Sequence, residues 1–159
     1  MKDYICVSKD VKMGKNVKLS KFVNLYGCAI EDNTKIGAFV EVQKNARIGK
    51  NCKISSHSFI CEGVDIADNC FIGHGVIFIN DNYPSSINNL GKLAEEKDWK
   101  NRLVKTRVGK NVSIGSNATI LGGIVIGDYS IIGAGSVVTK NIPCRQVWAG
   151  NPARLLKKS

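Results

Sequence analysis

An aliphatic residue returns every sixth position along most of this chain. The first run takes in Val7, Met13, Leu19, Leu25, Ile30, Ile36, Val42, Ile48, Ile54, Ile60, Ile66, Ile72 and Phe78, its one aromatic member; the second takes in Val108, Ile114, Ile120, Ile126, Ile132 and Val138. The only slip within either run is the five-residue step from Leu25 to Ile30. Two residues before these positions stands another small or apolar residue, as in Val11-Lys-Met13, Thr34-Lys-Ile36, Cys52-Lys-Ile54 and Ser136-Val-Val138. A spacing of two places both side chains on one side of an extended segment, with the residue between them on the other. A helix would repeat about every 3.6 residues and a hairpin sheet would need reversing turns at less even intervals, so neither fits a strict six.

Each hexad therefore reads as a short strand plus a corner. Three such units turning the same way close a triangle, so about 18 residues form one coil and coils stack as parallel strands about 4.8 Å apart. The pattern predicts an all-β fold in one domain over residues 1–159: a triangular parallel β-helix of about six coils, with Ile36 under Ile54 under Ile72. Corners often open on glycine, at Gly14, Gly37, Gly49, Gly73, Gly109, Gly115, Gly127 and Gly133, as expected where the backbone needs permissive angles.

The period stops after Phe78 and resumes near Thr106. Residues 79–105 are too many for a corner and too polar for the core, so they are expected to project as a loop with at most a short helix around Leu93 to Lys97. Tyr83, Trp99 and the Lys and Arg residues at its end point to a functional loop. From Asn141 the pattern dissolves, and residues 141–159 read as the cap of the last coil with a short basic tail.

Charge and cysteine usage narrow the chemistry. Lys and Arg supply 23 residues against 13 Asp and Glu, and the net charge of +10 favours phosphate-bearing partners. Nucleic acid finds no recognisable reading module and few aromatics here, so it is not expected as a partner. The opening Met1-Lys2-Asp3-Tyr4 lacks the apolar run of a leader peptide and no stretch approaches the roughly 18 apolar residues of a membrane span, so a cytoplasmic protein without a membrane partner is expected. Cys6, Cys28, Cys52, Cys61, Cys70 and Cys144 contain no C-x-x-C pair and read as reduced thiols. Cys52 and Cys70 share the small inward slot one coil apart and are expected to stack in the core.

The I-G-x-N-V-x repeats, the loop extruded from mid-prism and the closing Trp148-Ala149-Gly150-Asn151-Pro152-Ala153-Arg154 together resemble the hexapeptide-repeat acyltransferases over essentially the whole chain. The resemblance implies a left-handed β-helix, an exception to the right-handed crossover rule that periodicity alone does not supply. It also implies a homotrimer that holds acyl-coenzyme A in the clefts between neighbouring prisms. The run from His57 to Pro84, with Phe78-Ile79-Asn80-Asp81 and then Tyr83-Pro84 at the root of the loop, is similar to the subgroup that N-acetylates amino sugars carried on a nucleoside diphosphate. In that subgroup the amine is typically at C3 of the hexose and the carrier is UDP or dTDP. The implied enzyme uses acetyl-CoA, needs no metal, and serves surface polysaccharide or glycan biosynthesis.

Register locates the candidate residues. Glu62 and Asn80 each follow an inward aliphatic residue by two and lie 18 apart, so they are expected on one edge of the prism in consecutive coils. His57 and His74 fall on a different edge, so a composite site requires neighbouring subunits. The imidazole of Gly73-His74-Gly75 is the first candidate base; His57 is the second and otherwise a candidate substrate contact. Asn80 and Glu62 suit orienting the amine, since both accept hydrogen bonds. In the resembling subgroup an Asn at this place touches the reacting amine, and the departing sulfur can take the proton in place of a side-chain base. Asp81 reads as a substrate contact or as the cap of the loop, and Tyr83 and Trp99 as substrate contacts. Backbone N–H groups at the Gly122-Gly123 corner are candidates for stabilising the oxyanion, the alternative being an ordinary tight corner. For acetyl-CoA the resemblance points to the last coils and tail, with Lys140, Asn151 and Arg154 reaching the pantetheine and phosphates. Outward Phe59 and Ile77, with Val125, Ile131 and Val137 after the loop, suggest a buried subunit contact.

Three rival readings remain. A zinc carbonic anhydrase on the same prism needs three histidines per site, and this chain has two. An acetyl-CoA enzyme acting on a hydroxyl of serine or a simple sugar fits the same repeats, and so does a non-catalytic scaffold.

Overall fold

In the computed structural model, which describes residues 4–158, the chain winds into three walls of strands, seven in the first, six in the second and eight in the third, all parallel but the last strand of the third. The opening Met1–Asp3, part of the localisation expectation, lies outside the described residues. Strand neighbours within a wall come from successive coils: Ile36 pairs with Ile54, Ile54 with Ile72 and Phe59 with Ile77. Ile72 pairs next with Ile114, so the ladder passes over the loop. The step from Leu25 to Ile30 surfaces as the pairs Met13 with Ile30, Leu19 with Ile36 and Leu25 with Val42. Each of these is 17 residues apart, and counting by 18 fails besides only across the loop and at the last coil, where Ile132 pairs with Trp148.

The periodic positions line a dry axis. From Leu25 to Val138 every one is at most 2% exposed, and burial of each such side chain stabilises by roughly 1.5–3 kcal/mol. Val7 and Met13 remain about 40% exposed because no coil among the described residues lies beneath them. Cys28, Cys52, Cys61 and Cys70 are buried.

The corners correct the expectation for glycine. Gly37 and Gly73 are required by close approach: a Cβ there would lie 2.6 Å from the backbone nitrogen of Ser56 or Ser116 in the next coil. The left-handed backbone angle falls two residues later, most often on asparagine, which tolerates it better than other residues with a Cβ. On one edge those asparagines form a ladder, Asn16 to Asn33 and Asn33 to Asn51 at 3.2 Å and Asn51 to Asn69 at 3.1 Å. The edge between the third and first walls instead stacks Tyr4, Phe22, Phe39 and His57.

The loop leaves the prism at the edge between the first and second walls. Its helix, α1, spans Glu96–Trp99. It begins later than the sequence suggested because Asp98 accepts the Glu95 N–H at 2.9 Å and fixes the first turn there. At the other end Gln146–Ala149 joins the third wall and Arg154–Lys158 pairs antiparallel with it. The tail is thus a hairpin with Ala153 buried at its turn, where the Ala153 N–H donates to Val137 O at 2.8 Å. Phe59, Ile77 and Val137 share the first wall, while Val125 lies on the second and Ile131 on the third, so the outward apolar residues do not form one strip.

Candidate active site

A cavity of about 480 Å³ opens where the loop leaves the prism, between the coil edge that carries Tyr26, Lys44, Glu62 and Asn80 and the loop residues Trp99 and Arg102. Stacking places Asn80 over Glu62, and Asn80 Nδ2 donates to the Glu62 carbonyl at 3.3 Å. That bond leaves Asn80 Oδ1 as the acceptor for a ligand. Glu62 Oε1 accepts from Asn45 Nδ2 at 2.9 Å and Oε2 lies 3.7 Å from Lys44 Nζ. Below, Gln43 Oε1 accepts the Glu62 N–H at 3.2 Å, while Gln43 Nε2 and Tyr26 OH both donate to Glu41 Oε1 at 3.0 and 3.3 Å. Burial, and then the Glu41 carboxylate, push the Tyr26 hydroxyl up, so it stays a donor at neutral pH.

The loop is fastened around this cavity by polar pairs. Arg102 Nε donates to Asp81 Oδ2 at 3.0 Å and the Tyr83 N–H donates to Asp81 Oδ1 at 2.9 Å. Lys44 Nζ reaches Glu96 Oε1 on α1 at 3.3 Å, a bond that raises the lysine above its ordinary value and holds the Glu96 carboxyl below its own. Asn82 clasps the Gly122 corner from both sides, accepting its N–H at 2.9 Å and donating to its carbonyl at 3.1 Å. A second hollow of about 560 Å³ lies behind the returning segment Leu103–Lys105 and shares Glu62 with the first. Arg47 in its lining is paired to Glu31 at 2.6 Å and Asp65 at 3.0 Å, whereas Lys105 and Arg107 in the same lining enter no ion pair among the described residues.

The sequence candidates divide between two edges. Glu62, Asn80, Gly122 and Lys140 stand in one column, because Phe78 pairs with Ile120 and Ile120 with Val138. Trp99 and Asp81 join Glu62 and Asn80 at the cavity. Asp81 spends both oxygens on the loop, which favours its cap role, and Tyr83 is 85% exposed and does not line the cavity. The Gly122 N–H is engaged by Asn82, so within this chain it is not presented to an acyl oxygen; Gly123 follows with φ of +82°. His57 and His74 are exposed on the edge between the third and first walls, and the hairpin turn with Asn151 and Arg154 reaches the same edge. Tyr26, Gln43, Lys44 and Asn82 escaped the sequence reading, which took in Arg102 only as one of the basic residues at the end of the loop. Lys44 was within its reach, since it lies 18 before Glu62; Tyr26 was hidden by the 17-residue register, and the loop residues carry no period. Among the described residues, no group of three His, Cys, Asp or Glu side chains is placed to hold a metal ion.

The chain matches the pattern of the family described as bacterial transferase hexapeptide (six repeats) over residues 27–62, 45–80 and 105–140. It is 51% identical over 51 residues to the dTDP-3-amino-3,6-dideoxy-alpha-D-galactopyranose 3-N-acetyltransferase of Aneurinibacillus thermoaerophilus, a stretch covering 32% of this chain and 27% of that protein. It is 53% identical over 51 residues to the galactoside O-acetyltransferase of Escherichia coli, covering 32% and 25% respectively. The chain spans about a quarter of the length of the curated relatives it matches. Among solved structures, a mutant of AntD, an N-acyltransferase from Bacillus cereus in complex with dTDP and Coenzyme A, superposes with a TM-score of 0.78 at 25% identity, covering 92% of this chain and 82% of that one.

Proposed function

Because the chain belongs to the bacterial transferase hexapeptide family, we propose that it moves an acetyl group from acetyl-CoA to the C3 amine of a hexose carried on a nucleoside diphosphate. The observation that carries this reading is the stack of Asn80 on Glu62 in a cavity walled by Tyr26 and Trp99, with Lys44 and Arg102 beside it. A carboxamide oxygen and a carboxylate accept hydrogen bonds from a neutral amine, and aromatic faces with cationic neighbours suit a sugar bearing phosphates. The relative named for a dTDP-3-amino sugar and the AntD complex with dTDP and Coenzyme A support the same substrate class.

The amine attacks the thioester carbonyl, and the tetrahedral oxyanion collapses to an amide and a free thiol. Asn80 and Glu62 hold the amine with its lone pair toward the thioester; fixing two reactants in one cleft is worth up to about 7–11 kcal/mol. The proton leaves either to His74 or to the departing sulfur. The assembly that completes the site is a homotrimer, in which His74 of one copy faces the Asn80 cavity of the next and the Lys140, Asn151 and Arg154 region binds CoA. The described residues contain no helix long and apolar enough to cross a membrane; the compartment we assign is the cytoplasm.

The E. coli relative favours a second reading, transfer to a sugar hydroxyl. Thiol release from acetyl-CoA, followed with UDP- and dTDP-linked 3-amino and 4-amino hexoses beside galactosides and serine, separates the two. Turnover is expected with a 3-amino sugar, and Asn80→Ala should lower kcat about a hundredfold. A His74→Ala variant that keeps nearly full turnover would assign the proton to the sulfur. Turnover on hydroxyl acceptors alone would overturn the amino-sugar reading.

A further inference from the structure

Away from this cavity, the third wall carries a column of lysines without counter-charge. Lys18, Lys35 and Lys53 hold the same outward position in three successive coils, with Lys18 paired to Lys35 and Lys35 to Lys53. Their stems therefore leave the wall about 4.8 Å apart, and like charges so placed destabilise a sheet. None of the ion pairs among the described residues involves these lysines. On the neighbouring edge, Asp32 and Asp68 each spend an oxygen on a backbone N–H, of Lys15 at 2.7 Å and Lys50 at 2.9 Å. The column flanks a groove of about 380 Å³ that extends past Ser20 and Ser55 to His74. Ser55 is 3% exposed, and its hydroxyl has no hydrogen-bond partner among the described residues. Lys53 is steadied over the Phe71 ring, its Nζ 5.6 Å from the centroid.

We propose that this groove is a diphosphate-binding site. The two phosphorus atoms of a diphosphate lie closer together than one coil rise, so a pair of lysines one coil apart straddles it, and the third extends the field along the groove. Ammonium groups on flexible stems serve as mobile point charges for phosphate oxygens. A ligand lying along the column brings its far end to the His74 imidazole. The proposal deepens the functional reading above and rests on it for the owner of the diphosphate, a nucleoside diphosphate or CoA.

Calorimetric titration of the full chain with inorganic pyrophosphate, thymidine diphosphate, thymidine and CoA tests the site, with Lys35→Ala and Lys35→Glu as variants in mid-column. Pyrophosphate affinity should fall about tenfold in Lys35→Ala and disappear in Lys35→Glu, with thymidine indifferent to either change. A parallel loss for thymidine diphosphate but not CoA assigns the group to the nucleotide, and the reverse assigns it to CoA. At low salt the ligand-free Lys35→Ala protein should melt no lower than the parent, because the substitution removes repulsion. Unchanged pyrophosphate affinity in both variants overturns the site, whatever the transfer assay reports. A parent that binds pyrophosphate through Lys35 yet transfers no acetyl group would sink the functional reading and leave the site standing.

Discussion

Adding one methyl group at Gly122 should unseat the loop while the prism stays wound. A Cβ at this corner would lie 2.5 Å from Val104 Cγ2, 3.1 Å from Ile79 O and 3.2 Å from Asn82 Oδ1. Valine is stiff about χ1, and the Val104 N–H is anchored to Asn80 O at 2.9 Å, so relief comes only by moving the returning segment. That motion also breaks the two bonds between Asn82 and the Gly122 backbone. Overpacking of about 1–3 kcal/mol, with about 1 kcal/mol for each lost hydrogen bond, puts the local cost near 3–5 kcal/mol. Opening of the loop should then rise at least a hundredfold. Hydrogen exchange across residues 80–105 reads this directly, and the acceptor KM should rise because Asn80 loses its Val104 partner. Gly123→Ala is the control: its φ of +82° makes alanine strained, but Val104 Cβ stands 3.9 Å away. It should cost only about 1–2 kcal/mol and leave the loop in place. Parental loop protection and an unchanged KM in Gly122→Ala would refute the reasoning.

Three further outcomes follow from the core. Ile54→Ala, at a site 1% exposed, should cost about 2–5 kcal/mol in urea unfolding, whereas Val7→Ala in the open first coil should cost under about 1 kcal/mol. At pH 8 a thiol reagent should modify Cys6 and Cys144, both exposed, and reach the four buried thiols only on unfolding. Burial pushes the Cys28 thiol up to about 11 and Cys61 up to about 12; the neighbouring Cys52 sulfur and burial raise Cys70 as well. Raised folded values mean that this stability is complete below pH 9 and is lost as pH climbs through 11 to 12, so the urea midpoint should fall across that window.

What the sequence discloses here is what packing repeats. Ile36, Ile54 and Ile72 were legible because each must fit the same dry slot one coil above the last, and Asn80 over Glu62 follows from the same count. The count misleads at Tyr26, where the shortened hexad moves the partner by one residue and brings Tyr26 beneath Gln43 rather than Lys44. It is silent on the loop. Whether Asp81 faces a substrate or Arg102, and whether the Gly122 N–H is open or clasped by Asn82, depends on hydrogen bonds between residues 21 and 40 positions apart that no period constrains. The corner glycines were found for a reason that belongs to the asparagines, since backbone permissiveness and close approach leave the same mark in a sequence.

The ladder from Ile72 to Ile114 spans 42 residues where an ordinary coil needs 18, and the pairing above and below is undisturbed. The winding thus works as a socket into which a cartridge of foreign length plugs at one corner. On the function proposed above, exchanging that cartridge should rewrite acceptor preference, with the shaft that carries it neither refolded nor re-registered.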